Sequence, residues 1–208
     1  GSASPIPGIA TSTSGTATAI SGAGGPLSDS QDVQVGGLGG PPSVSTTSSL
    51  YQFDVNQLAQ DIISAVIEGV TMQTLTSPNN TSGVWGTELV PKITHLTANN
   101  PQVGGDLTGY GVLIVDSNLA VRGSFSFKGI IIVLGEVDLK GSGDSGTATL
   151  WGGLFVKEST SSDVGKEFEL GGSAKVYYSS QTLGTVNSNW GNSLPKVAKV
   201  IAWHEVMQ

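Results

Sequence analysis

One six-residue signature limits the fold of this chain more than any other feature of its sequence. The pattern apolar-x-apolar-x-Gly-Ser occurs at 119–124 (Leu119-Ala120-Val121-Arg122-Gly123-Ser124), at 137–142 and at 168–173. Gly123 and Gly141 stand 18 residues apart, and Gly141 and Gly172 stand 31 apart. The excess falls in the insert 142–147 and the polar stretch 157–167. An apolar run precedes each signature: Val112–Val115, Ile130–Val133, and a third copy starting at Gly153. A further strand-like piece follows, as in Phe125-Ser126-Phe127 and Lys175-Val176-Tyr177.

A repeat near twenty residues with three short strand-like pieces is what one coil of a β-solenoid requires. A single coil cannot bury its inward side chains, whereas stacked coils join them into one column. Glycine at the corners supplies backbone angles that other residues resist. The runs 112–115 and 130–133 are too apolar for a strand wetted on one side, which fits parallel pairing between coils. A βαβ sheet needs crossovers of about a dozen residues or more with helical period, and the spacers here are shorter and rich in Gly. The expected fold is mainly β: a short parallel β-solenoid of about three coils, with Gly123 and Gly141 stacked in neighbouring coils.

Two further regions complete the organisation. Residues 1–50 form a Ser/Thr/Gly/Pro-rich extension that reads as linker or stalk. Within it, 6–10 and 16–22 alternate like strands and offer edge strands to a sheet. Residues 51–208 form the solenoid domain, with one packed helix expected over about 55–75. Asp54 is its N-cap, Gln57 takes the capping-box position, and Val55, Leu58, Ile62, Val66 and Val70 make one apolar stripe. Exposed edges at solenoid ends need covering, so the helix is expected at the N-terminal end of the stack and the last strand, 197–206, as a second cover.

Composition removes several function classes. Sixteen acids against nine bases give a net charge of −7, with no basic cluster for nucleic acid phosphates or anionic membrane. The absence of Cys excludes thiol catalysis, disulfides and Cys-ligated metal. No run reaches the ~18 apolar residues of a membrane span.

Several stretches together resemble the extracellular portion of PilX-like type IV pilus accessory proteins, which are minor-pilin-like. They are Pro7-Gly8-Ile9-Ala10, Ile20-Ser21-Gly22, the repeat from Gly111 through Gly143, Val176-Tyr177-Tyr178-Ser179-Ser180 and Ile201-Ala202-Trp203-His204-Glu205-Val206. The resemblance implies a membrane-derived helix before residue 1 and exposure outside the inner membrane. It also implies a role in pilus assembly, adhesion or motility. The C-terminal disulfide common among pilins is impossible in this Cys-free chain.

No catalytic constellation emerges, and no cofactor or metal is expected. His95 and His204 are the only histidines and have neither a nucleophile elbow nor zinc spacing beside them. Asp116 and Glu136 open corner turns in successive coils, and Arg122 and Lys140 precede equivalent corner glycines; these read as solvated corner charges. Asp144 sits in a plain turn without a calcium ladder, and Asn79-Asn80-Thr81-Ser82 holds two chance glycosylation motifs. Gly36–Gly40 lacks the strand and helix of a dinucleotide loop.

The expected function is that of a non-catalytic surface domain outside the cell. Its expected partners are other pilus subunits, surface proteins or glycans, and not nucleic acid. Two alternatives remain: a β-helix polysaccharide-degrading enzyme, which needs acidic residues lining one face, and a carbohydrate-binding adhesin, which needs an exposed aromatic row. Coil interiors must repeat, whereas insertions are free to vary. The candidate contact surface is therefore the polar insertion Glu158, Ser159, Thr160, Ser161, Ser162 and Asp163.

Overall fold

The structure, a computed structural model, describes residues 9–11, 35–36, 44–46, 54–64, 71–140, 147–157 and 168–189. Over these residues the chain is a parallel β-solenoid of about four turns with two helices, against the three coils and one helix expected. The extra turn is the coil beginning at residue 71, which lies before the repeat that the sequence makes visible.

Three strands lie in the N-terminal extension: β1 (Ile9–Thr11), β2 (Val35–Gly36) and β3 (Val44–Thr46). The solenoid begins with β4 (Thr71–Leu75), β5 (Asn79–Trp85) and β6 (Lys92–Leu96). It continues through β7 (Gln102–Val115), β8 (Leu119–Arg122), β9 (Phe125–Val133) and β10 (Val137–Lys140). The last strands are β11 (Ala148–Val156), β12 (Phe168–Gly171) and β13 (Lys175–Tyr178).

All strand pairs among the described residues are parallel; β1 and β3 form a two-stranded sheet of their own, and the rest sort into three faces. On the first, β4, β6 and the C-terminal halves of β7, β9 and β11 stack in register. The second joins the end of β5 to the middle of β7, the first halves of β9 and β11, β13 and finally β2. The third stacks the starts of β5 and β7 on β8, β10 and β12. The Gly-Ser signature is the third face: Leu119, Val137 and Phe168 share one column, and Val121, Leu139 and Leu170 another. Arg122 and Lys140, the residues before Gly123 and Gly141, are in register. Gly141 lies outside the described residues, and Gly123 itself sits over Gly105.

A glycine ladder turns the second face into the first. Gly111, Gly129 and Gly152 stack in successive coils with φ of +129°, +143° and +139°. A Cβ on Gly129 would lie 1.9 Å from the Gly111 carbonyl oxygen, and one on Gly152 2.0 Å from that of Gly129. The third copy of the repeat therefore starts at Gly152 and not at Gly153. Gly153 takes the place that Ile130 holds one coil earlier, with Leu183 packed beside it.

The first face explains the doubly apolar runs. Leu113, Val115, Ile131 and Val133 point into the solenoid core with Leu96, Phe127 and Val121. Val112, Ile114, Ile130 and Ile132 point outward into a second apolar layer that also holds Ala59, Ile62 and Val186. These last three come from α1 (Val55–Ser64) and α2 (Ser180–Asn189). Parallel sheets are covered on both sides because their strands are apolar on both sides.

Two expectations about the helix are corrected here. It ends its described course at Ser64, and Thr71–Leu75 is strand, because pairing with β6 satisfies that backbone and overrides the 3.6-residue spacing of the side chains. It also covers the outside of the first face and not the end of the stack, since Ile93, Val112, Ile114 and Ile132 need that cover more than the end coil does. Asp54 does cap α1: its Oδ1 accepts from Asn56 N at 2.8 Å and Gln57 N at 3.2 Å. The Gln57 side chain turns forward to Asp61 Oδ1 at 2.7 Å. α2 was not expected. Ser179 caps it, its Oγ accepting from Thr182 N at 3.2 Å.

Segment 16–22, the stretch 197–206, Asp144, Trp190 and His204 lie outside the described residues. Among the described residues, no helix is long and apolar enough to cross a membrane.

Candidate functional site

The third face carries the charges that a polysaccharide-degrading solenoid would use. Strand alternation sends Leu119, Val121, Val137 and Leu139 inward and leaves Arg122, Asp138, Lys140 and Glu169 outward. Arg122 pairs with the Asp138 carboxylate, and its Nη1 also donates to the backbone oxygens of Val121 (2.9 Å) and Asp138 (3.2 Å). Lys140 Nζ reaches Asp138 Oδ2 at 3.2 Å and Glu169 Oε1 at 2.8 Å. The hydrogen bond that Lys140 donates to Glu169 raises the Lys140 pKa above its ordinary value, against partial desolvation and with help from Asp138. A glycosidase keeps its two carboxyl groups apart, with sugar and water between them. Here one ammonium bridges both. The vertical basic pair is thus half of an alternating ladder that neutralises charge from coil to coil.

The corner between the first and third faces is tied by side chains. Ser117 Oγ donates to the Ala98 carbonyl at 3.0 Å and accepts from Asn100 N at 2.9 Å. Asn118 Oδ1 accepts from Glu136 N at 2.9 Å. His95 Nε2 meets Asp116 Oδ1 at 2.8 Å, linking neighbouring coils. Among the described residues no group of three or more His, Asp or Glu side chains is placed to hold a metal ion. The insertion proposed as a contact surface, Glu158, Ser159, Thr160, Ser161, Ser162 and Asp163, lies outside the described residues. Its preceding flank, Lys157, donates its backbone N–H to Val133 O at 2.9 Å.

The aromatic residues divide three ways. Trp85 belongs to the solenoid core. Tyr110 is buried in the outer apolar layer, where burial raises its hydroxyl pKa despite a hydrogen bond with Thr185 of α2. Trp151 is exposed on the second face and stacks on Tyr177 of the next coil, with ring centroids 4.3 Å apart. The two rings make a short stacked pair and not a broad aromatic row.

At the last coil β12 pairs only with β10 and the second half of β11 only with β9, and the first coil has open edges too. β4 pairs only with β6, and β5 only with β7, so the opposite edges of both are unpaired among the described residues. Of the five exposed large hydrophobic residues described, four lie here: Met72 (44%), Val84 (57%), Leu89 (93%) and Val90 (60%). Leu89 and Val90 sit on a tight turn closed by Thr87 N to Val90 O at 2.9 Å and Val90 N to Thr87 O at 3.1 Å. Residues 71–91 carry one charge, Glu88. The inner column at this end is polar: Gln73 Nε2 donates to the buried Thr94 Oγ1 at 2.9 Å. Sequence reading missed this surface; its signal was a nearly uncharged stretch of strand-forming residues following a helix.

No protein-family model, curated protein or solved structure matches this chain.

Proposed function

We propose that the chain is a non-catalytic structural and interaction domain of the cell surface, of the PilX-like pilus accessory kind, working in pilus assembly, adhesion or motility. The observation that carries the reading is the open first coil. Four of the five exposed large hydrophobic residues described fall within one coil, as at a contact surface, and an unpaired strand edge is a ready template for another chain. The acids and bases an enzyme would need on adjacent coils are engaged with one another on the third face.

The test is made in cells. A strain whose gene carries Met72→Lys and Thr74→Lys should make the protein at normal level yet lose piliation, adhesion or twitching. Unchanged behaviour on all three counts would remove the reading. A second reading, a carbohydrate-binding adhesin, is favoured by the exposed Trp151 on Tyr177. Replacing Trp151 by Ala, with glycan-array binding as the readout, separates the two.

A further inference from the structure

We infer that the open first coil takes a second copy of this chain, docked end to end about a twofold axis with β4 paired antiparallel to its counterpart. The inference rests on the reading of that coil as an interaction surface and names what occupies it.

Four observations lead there. The unpaired groups are backbone N–H and C=O of an edge strand, and the partner that satisfies them is another strand. Natural edges are blunted by charge, Pro or a bulge. β5 has such a defence, a register shift between Asn80 and Ser82 with Pro78 just before it. β4, Thr71-Met72-Gln73-Thr74-Leu75, has neither charge nor Pro, and its register with β6 is unbroken. It is the undefended edge of the first coil.

Charge selects the partner. The chain carries a net −7, and its two copies repel wherever acids face acids. The first coil, with Glu88 as its one charged residue, is the surface on which two copies meet with least repulsion. Size is sufficient as well. Residues 71–91 number 21, and a stable interface uses about 20–30 residues on each side.

Geometry favours the twofold arrangement over a head-to-tail stack. At the opposite end β2 already pairs with β13, with Val35 on Val176 and Gly36 on Tyr177. A first coil arriving there would find the second face occupied and Glu169 on the edge strand of the third, with only the second half of β11 open to β4. A twofold axis needs only the open end, used by both copies, and closes the assembly at two.

The experiment is sedimentation equilibrium of the 208-residue chain from low to high micromolar concentration, at low and high salt. A reversible monomer–dimer equilibrium is expected. Met72→Lys with Thr74→Lys should weaken it at least about tenfold, because four ammonium groups then face one another across the axis. Circular dichroism melts identical to the parent establish that the variant folds. As a second measurement, the Cys-free background allows introduced cysteines. Met72→Cys with Thr74→Cys should give disulfide-linked dimers on mild oxidation, since pairing all of β4 sets residue 72 of one copy opposite residue 74 of the other and brings their Cα atoms within disulfide reach. Trp151→Cys, on the second face, should not. A chain monomeric throughout, or a dimer indifferent to both lysines and cross-linked through residue 151, overturns the inference. A monomeric chain whose lysine variant still loses pilus function would leave the interaction reading standing and assign the edge to a different subunit.

Discussion

Substituting Gly129 by Ala adds one methyl group at the tightest point of the corner ladder. The new Cβ would stand 1.9 Å from the Gly111 carbonyl oxygen, while ordinary contact begins near 3.4 Å. The neighbour is backbone and has no rotamer to change. The coils must therefore part locally by about 1.5 Å, which takes a ladder N–H···O separation of about 2.9 Å beyond hydrogen-bonding range. Two flanking bonds are affected, each contributing about 1 kcal/mol net. The φ of +143° adds strain that only glycine escapes, about 1–3 kcal/mol. The sum is about 3–5 kcal/mol, a large share of the 5–15 kcal/mol typical of a folded domain. Urea unfolding followed by tryptophan fluorescence and circular dichroism reads it as a lowered midpoint. Gly184→Ala is the matched control. It lies within α2, a Cβ there meets nothing within 4 Å, and the helix should gain about 0.5–1 kcal/mol. If Gly129→Ala came within about 0.5 kcal/mol of the parent, the corner would not be built as described.

Three further outcomes follow from the same geometry. Phe127→Ala empties a fully buried site beside Gly109, whose missing side chain makes room for that ring, and should cost about 3–5 kcal/mol in urea unfolding. Asp54 has its pKa lowered by the N–H groups of Gln57 and Asn56. Its stabilisation is therefore present above the unfolded value of 3.8 and lost as pH falls through the lower folded value, so the parent should lose more stability than Asp54→Asn between pH 5 and 2. Lys140 has the opposite sign: its raised pKa gives stability present below the unfolded value of 10.5 and lost as pH rises through the folded one. Since Lys140 is partly exposed and screened, Lys140→Met should change stability by under about 1 kcal/mol at pH 7 and flatten the alkaline limb of the pH profile.

The middle of the solenoid was legible because each coil repeats the demands of the one before. Leu119, Val137 and Phe168 occupy one column, and a column must be apolar in every coil it crosses. The first coil obeys a different rule. Its inward residues are Gln73 and Leu75, and its outward ones Met72 and Thr74, so no period of two marks β4 as a strand. Val66 and Val70 meanwhile extend the helical spacing of α1 almost to its start. The Gly152-Gly153 pair hid the third copy's register for a similar reason: two adjacent glycines stand where one corner glycine is needed, and only the positive φ of Gly152 and its pairing with Gly129 mark the one that turns the chain. α2 itself is rich in Ser, Thr, Gly and Asn, poor helix formers in isolation. Its packing on the outward side of β9 and β11 holds it in place, a tertiary contact with no local signature.

The two ends of the stack are finished differently, and the chain's path explains how. Val35–Gly36 hydrogen-bonds to β13 at the last coil, yet β4 opens the first coil at the opposite end. β2 and β4 thus stand at opposite ends of the stack, and α1 lies on the outside of the first face. β2 extends the last coil's second face, and α1 itself buries Val112, Ile114 and Ile132. None of the earlier described strands pairs with β4. An edge left open by the order of the chain is ordinarily defended by charge, and this one carries Met72 and Thr74 where lysines would serve. On the proposed reading, it is the exposed Met72, Val84, Leu89 and Val90 together with the uncharged edge of β4 that put the contact surface at the beginning of the stack and not on its faces.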